Sequence, residues 1–201
     1  MRNDVRLGLV RFLVCAAAVM LLTGPAAAEW GKPKPSTEDW SWLEGTVWYV
    51  PTYNLPAIMT SPDTEAVIPL RDQTVYTIDG YANGYYWGIA RAQFLGPDDP
   101  RKVPPDSDPA CNRMAASVTP EGTLNVSFAP MESSSGERIT GVGTMRRHRG
   151  SWAMELQMTT GDTVQVTHWA YMRACPKNRP CKLPAISATA QEFVEACRTS
   201  P

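Results

Sequence analysis

The segment Ser151-Trp152-Ala153-Met154-Glu155-Leu156-Gln157-Met158-Thr159 alternates strictly. Trp152, Met154, Leu156 and Met158 fall on one side of an extended chain, and Ser151, Ala153, Glu155, Gln157 and Thr159 on the other. Successive side chains of a strand point to opposite faces, so this period of two describes a strand with one buried and one wet face. Thr123 to Phe128 repeats it, with Leu124, Val126 and Phe128 opposed to Thr123, Asn125 and Ser127. A helix would space its apolar residues three and four apart, and the β-branched and aromatic content also argues against one.

Outward from these two segments, the same reading places strands at about 46–53, 73–80, 84–95, 112–119, 123–129, 138–147, 151–159 and 163–173. Asn83-Gly84, Pro120-Glu121-Gly122, His148-Arg149-Gly150 and Thr160-Gly161-Asp162 supply hairpin turns between them. The connections near 54–72 and 96–111 are the long ones. Eight short strands joined mainly by tight turns predict an all-β fold, an eight-stranded antiparallel up-and-down barrel, which leaves no exposed edges. A sandwich is the alternative, but it needs more long crossovers. The tail predicts a short C-terminal helix from Gln191 to Arg198, capped by Ser187 or Thr189 and docked through Phe193 and Val194.

Arg2, Arg6 and Arg11 precede an apolar run from Phe12 to Leu22, and Ala26-Ala27-Ala28 follows. That order is the order of a secretory signal, with cleavage expected after Ala28 and no transmembrane anchor afterwards. Residues 29–39 read as a Pro- and Lys-rich flexible lead-in, and 40–201 as one domain with its helix. Cleavage leaves 173 residues with 16 basic and 19 acidic side chains, a net charge of −3 that gives no reason to expect nucleic acid.

Four cysteines remain, Cys111, Cys175, Cys181 and Cys197, and an even number in an exported chain reads as two disulfides. Of three possible pairings, Cys175 with Cys181 and Cys111 with Cys197 is the favoured one: the first closes a Pro-containing loop, the second ties the tail to the barrel. No C-x-x-C pair or neighbouring histidine supports a metal site.

The stretch from Asp39 to Val50, DWSWLEGTVWYV, resembles the opening of a lipocalin: a short apolar turn, then glycine, then Trp-Tyr entering the first strand. Arg173 stands where that family has an arginine packed over the tryptophan. The strand count, the C-terminal helix and a tail-fastening disulfide resemble the broader calycin group over residues 40–198. The resemblance implies a cup for a small, mostly apolar ligand.

Alternate positions counted inward give Trp48, Tyr76, Ile78, Trp87, Ile89, Met114, Leu124, Phe128, Trp152, Met154, Leu156, Met158, Val164, Val166, His168 and Met172. Large aromatic and methionine side chains suit an adaptable apolar pocket and an ordinary core equally well. Trp48, Tyr76, Trp87, Trp152 and Met154 are the expected walls of a ligand site, with Arg91 or His168 fixing a polar end. Arg91 shares a side with Trp87 and Ile89; if that side faces in, an acidic ligand group is favoured, and if Tyr86, Ala90 and Phe94 face in, Arg91 lies in solvent. His168 lies on the apolar side of the last strand and should point inward.

Arg146, Arg147, His148 and Arg149 cluster at one hairpin, and Arg173, Lys177, Arg179 and Lys182 follow the last strand, so both groups could reach a single end of the barrel. Asp98, Asp99, Asp106 and Asp108 lack calcium-loop spacing and read as solvated. No nucleophile elbow, phosphate loop or H-E-x-x-H motif is present, so no catalytic residue and no cofactor is assigned. Three functions follow as expectations. The first is an exported carrier of a small hydrophobic or amphipathic molecule. The second is a solid-cored module that meets an envelope protein through the arginine rim or through Tyr85 and Tyr171. The third is a barrel-cavity isomerase or cyclase using His168.

Overall fold

The computed structural model describes residues 38–95, 108–131, 138–161 and 163–199. Residues 1–28, read above as a secretory signal, and most of the expected lead-in, with Asp98, Asp99, Asp106 and Asp162, lie outside these described residues. The strands are β1 (Val47–Tyr49), β2 (Asn54–Ser61), β3 (Thr64–Ala82), β4 (Tyr85–Leu95), β5 (Ala110–Val118), β6 (Thr123–Pro130), β7 (Ile139–His148), β8 (Ser151–Thr160) and β9 (Gln165–Ala174), and a single helix, α1 (Ala190–Thr199), follows. Each strand pairs antiparallel with its neighbour in sequence from β2 to β9, and β9 closes back on both β1 and β2. Because β1 and β2 occupy one position between β3 and β9, the nine segments make a closed eight-strand barrel.

Burial follows the alternation that defines the strands. On β6 Leu124, Val126 and Phe128 are buried and their neighbours exposed; on β8 Met154, Leu156 and Met158 are buried. They join Trp48, Tyr76, Ile78, Met114 and Met172 in one apolar cluster inside the wall. Gly141 on β7 faces Met158 and Val126, where an added Cβ would collide with both, so its missing side chain is what lets Met158 lie inward.

The long connection expected at 54–72 is instead a hairpin, formed by β2 and the first half of β3 around a turn at Pro62-Asp63. Its prolines disguise it. Pro56 and Pro69 sit directly opposite each other, an arrangement that an antiparallel ladder tolerates at its non-hydrogen-bonded positions.

One end of the barrel, called here the closed end, is plugged by a 3₁₀ turn, Trp40–Leu43. Asp39 caps the turn by accepting from Ser41 N at 2.9 Å, and these bonds hold its carboxyl below the ordinary range. Trp40 donates its indole N–H to Thr119 O at 3.0 Å, and Leu43 is fully buried. Gly45, at φ 74°, then turns the chain into β1, a left-handed conformation that disfavours any side chain. Trp48 donates to Thr46 Oγ1 at 2.8 Å, and Thr46 Oγ1 donates in turn to Leu43 O.

Arg173 does not pack over Trp48. It is the cross-strand partner of Tyr49 and lies on the exposed face, while Trp42 packs beside Trp48 with ring centroids 6.2 Å apart.

The helix lies outside the wall. Thr189 and Glu192 form a capping box, with Glu192 N donating to Thr189 Oγ1 at 3.2 Å and Thr189 N donating to Glu192 Oε2 at 3.0 Å; the second bond holds the Glu192 carboxyl below its ordinary range. Phe193, Val194 and Cys197 then pack on the outward faces of Val75 and Ile89 as a second apolar cluster. Cys111 and Cys197 are bonded, with Cα atoms 5.6 Å apart, and Cys175 and Cys181 likewise at 5.5 Å, the pairing favoured from the sequence.

Candidate functional site

The sequence-proposed pocket residues divide into three groups. Trp48, Tyr76, Met154 and His168 point into the barrel and are buried. Trp152 is half-buried at the closed-end rim, where it meets Trp40 at 4.9 Å between centroids and stacks on Trp42 at 6.4 Å. Trp87 and Arg91 face outward. Tyr86 and Ala90 take the inward positions of β4, so Trp87 is 47% exposed and lies against its partner Gly80. Ile89 and Arg91 lie beneath the helix. Val164 precedes β9 and is exposed.

Inside the wall the side chains fill the space. The interior void measures ≈ 30 Å³ and lies toward the end opposite the plug. That is room for about two water-sized groups, against roughly 300–1,000 Å³ in ordinary small-molecule pockets. Polar groups converge on this void in an otherwise apolar core. Asp72 comes from β3, Asn112 from β5, Thr160 from β8 and His168 from β9, and these are 8%, 4%, 8% and 8% exposed.

Thr74 Oγ1 donates to the Asp72 carboxylate, 2.7 Å from one oxygen and 2.9 Å from the other. Burial pushes the Asp72 carboxyl up, against the opposing pull of His168 and of the Thr74 bond. Burial likewise pushes the Tyr76 phenol far up, helped by the negative charge of Asp72. Asp72 and Thr74 went unnoticed in the sequence because Asp72 falls in the stretch read as a connection.

A larger concavity lies outside the wall at the closed end. It is a cleft of ≈ 890 Å³ between the β7–β8 turn and the loop that follows β9. Trp42, Tyr49 and Trp152 form its aromatic part, and Arg149, Arg173, Arg179 and Lys182 its cationic part. The two basic clusters of the sequence thus converge on one end of the barrel. Among the described residues, no carboxylate lines the cleft. Arg146 is engaged elsewhere, with Glu155 at 2.7 Å, and Arg147 lies over the Trp152 ring at 4.6 Å. Arg149, Arg173, Arg179 and Lys182 form no ion pair with any described residue. The Cys175–Cys181 bridge closes the short loop that carries Arg179, and so fixes one wall of the cleft.

Among the described residues, no helix is long and apolar enough to cross a membrane, and no group of three or more metal-ligating side chains assembles. Compared with protein-family models, curated proteins and solved structures, the chain finds no match in any of the three.

Proposed function

We propose that this chain is an exported, calycin-like barrel that acts as a binding module of the cell envelope, and that it recognises an acidic segment of a partner protein at the closed-end cleft. The observation that carries this reading is the contrast between a void of ≈ 30 Å³ inside the barrel and a cleft of ≈ 890 Å³ outside it. Arginine beside tryptophan and tyrosine is the composition of protein-binding hot spots, and unpaired guanidinium groups favour carboxylate partners. Export is supported by the basic, apolar, A-x-A order of residues 1–28, and an oxidising compartment by two bonded cysteine pairs. The carrier and reaction-chamber alternatives draw less support, since both need interior space that the core side chains occupy.

The test is a titration of a labelled glutamate-rich peptide into the mature chain at low and high salt. Saturable binding that weakens with salt, and that falls at least tenfold in Arg149→Glu/Arg173→Glu, supports the proposal. Equal affinity in the double variant would sink it.

A further inference from the structure

We infer that the segment recognised at the closed-end cleft is anchored by an aromatic side chain set among its carboxylates. This rests on the cleft reading proposed above and adds to it the apolar half of the ligand.

The cleft has two chemistries, and carboxylates answer only one of them. Arg149 stands on the β7–β8 turn, and Arg179 and Lys182 on the loop after β9, so positive charge rises on both walls. Between the walls lies an apolar lining. Ala153 and Ala174 belong to it, and their small side chains leave the recess open. Tyr49, Arg173 and Ala153 lie side by side across β1, β9 and β8, so a phenol ring and an alanine flank one guanidinium. Ala174 is the cross-strand partner of the fully buried Trp48, and Trp42 packs beside that same tryptophan. The rings of Trp42 and Trp152, 6.4 Å apart and 23° from parallel, complete the aromatic part. Trp42, Tyr49 and Trp152 are all half-buried, so aromatic surface meets water within a cationic cleft.

An all-glutamate segment meets the arginines and leaves this surface wet. Removing apolar surface from water is favourable in proportion to its area. A ligand that covers the lining therefore binds more tightly than one that only neutralises the rim. A planar ring suits the site better than a branched aliphatic chain, because it meets other rings in offset or edge contacts and its faces attract cations. Arginine in particular stacks on such faces, and Arg149, Arg173 and Arg179 all line the cleft. The volume of ≈ 890 Å³ takes the ring together with its neighbours.

The test uses labelled peptides with a central tryptophan, leucine or alanine between two pairs of glutamates, since the cations stand on both walls. Each is titrated into residues 29–201 and followed by fluorescence anisotropy. The tryptophan peptide should bind at least tenfold more tightly than the alanine peptide, with leucine between them. Ala153→Leu fills the recess and should cut the tryptophan advantage to less than about threefold. Tyr49→Ala removes part of the aromatic surface, gives a second reading if Ala153→Leu does not fold, and should also reduce that advantage. Equal, salt-sensitive affinities for all three peptides, lost in Arg149→Glu/Arg173→Glu, would overturn the aromatic anchor and leave the acidic cleft standing. Leucine equal to tryptophan, or an undiminished tryptophan advantage in both variants, would overturn the anchor too. An absence of saturable binding by every peptide would overturn the anchor and the cleft reading together.

Discussion

Arg91 Nη1 donates to the carbonyl oxygen of Phe193 at 2.7 Å, and its guanidinium carbon stands 4.6 Å from the Phe193 ring centroid. The arginine therefore fastens the C-terminal helix to the outside of the barrel instead of offering a charge to its interior. Desolvation beneath the helix lowers the affinity of this guanidinium for its proton, in keeping with a partly buried structural role. Replacing Arg91 by alanine removes a charge-assisted hydrogen bond and a ring contact together. Stability to urea should fall by about 1–3 kcal/mol, while peptide binding at the cleft stays as it was.

Asp72 gives the opposite behaviour, and its sign follows from linkage. Burial raises its carboxyl above the ordinary value, so the folded state holds the proton more tightly than the unfolded chain does. The stability this contributes is fully present below the unfolded carboxylate range and is lost as pH rises through the raised value. Asp72→Asn, which resembles the protonated form, should accordingly stabilise the fold by about 1–3 kcal/mol near neutral pH. The gain should shrink as melting curves are taken from about pH 8 toward about pH 4.

The two cysteine pairs should separate in the same way. Cys111–Cys197 spans 86 residues and Cys175–Cys181 only 6. Loop-closure entropy then assigns about 4–5 kcal/mol to the first and about 2 kcal/mol to the second. Cys111→Ser/Cys197→Ser should lose most of its resistance to denaturant. Cys175→Ser/Cys181→Ser should keep a folded barrel but bind the acidic peptide more weakly, because Arg179 loses its fixed position.

Where one face of a strand is wet, the chain states its own orientation. On β6 and β8 the period of two identified the buried residues directly, and the barrel, its turns and its helix cap followed. On β4 the outward face is partly covered too, with Ile89 and Arg91 beneath α1 and the large ring of Trp87 against Gly80, so these residues compete with Tyr86 and Ala90 and alternation carries no direction. On β2 and the first half of β3, prolines masked the pairing. That one misreading hid Asp72 and with it the acidic character of the interior, leaving Arg91 as the expected charge. The external cleft was half legible: both basic clusters were visible in sequence, but the aromatic part, built from Trp42, Tyr49 and Trp152 on separate elements, depends on barrel closure. The capping pair Thr189 and Glu192 shows the contrast, since it is local and the tail helix was read from neighbouring residues alone.

An acidic partner is proposed to bind outside the barrel wall, and an amide-shift map of residues 29–201 titrated with the glutamate-rich peptide tests that directly. Shifts should gather at Arg149, Gly150, Ser151, Arg173 and Lys182. Shifts concentrated at Met114, Phe128 and Met158, with the cleft unchanged, would contradict binding at the cleft and return the site to the barrel interior.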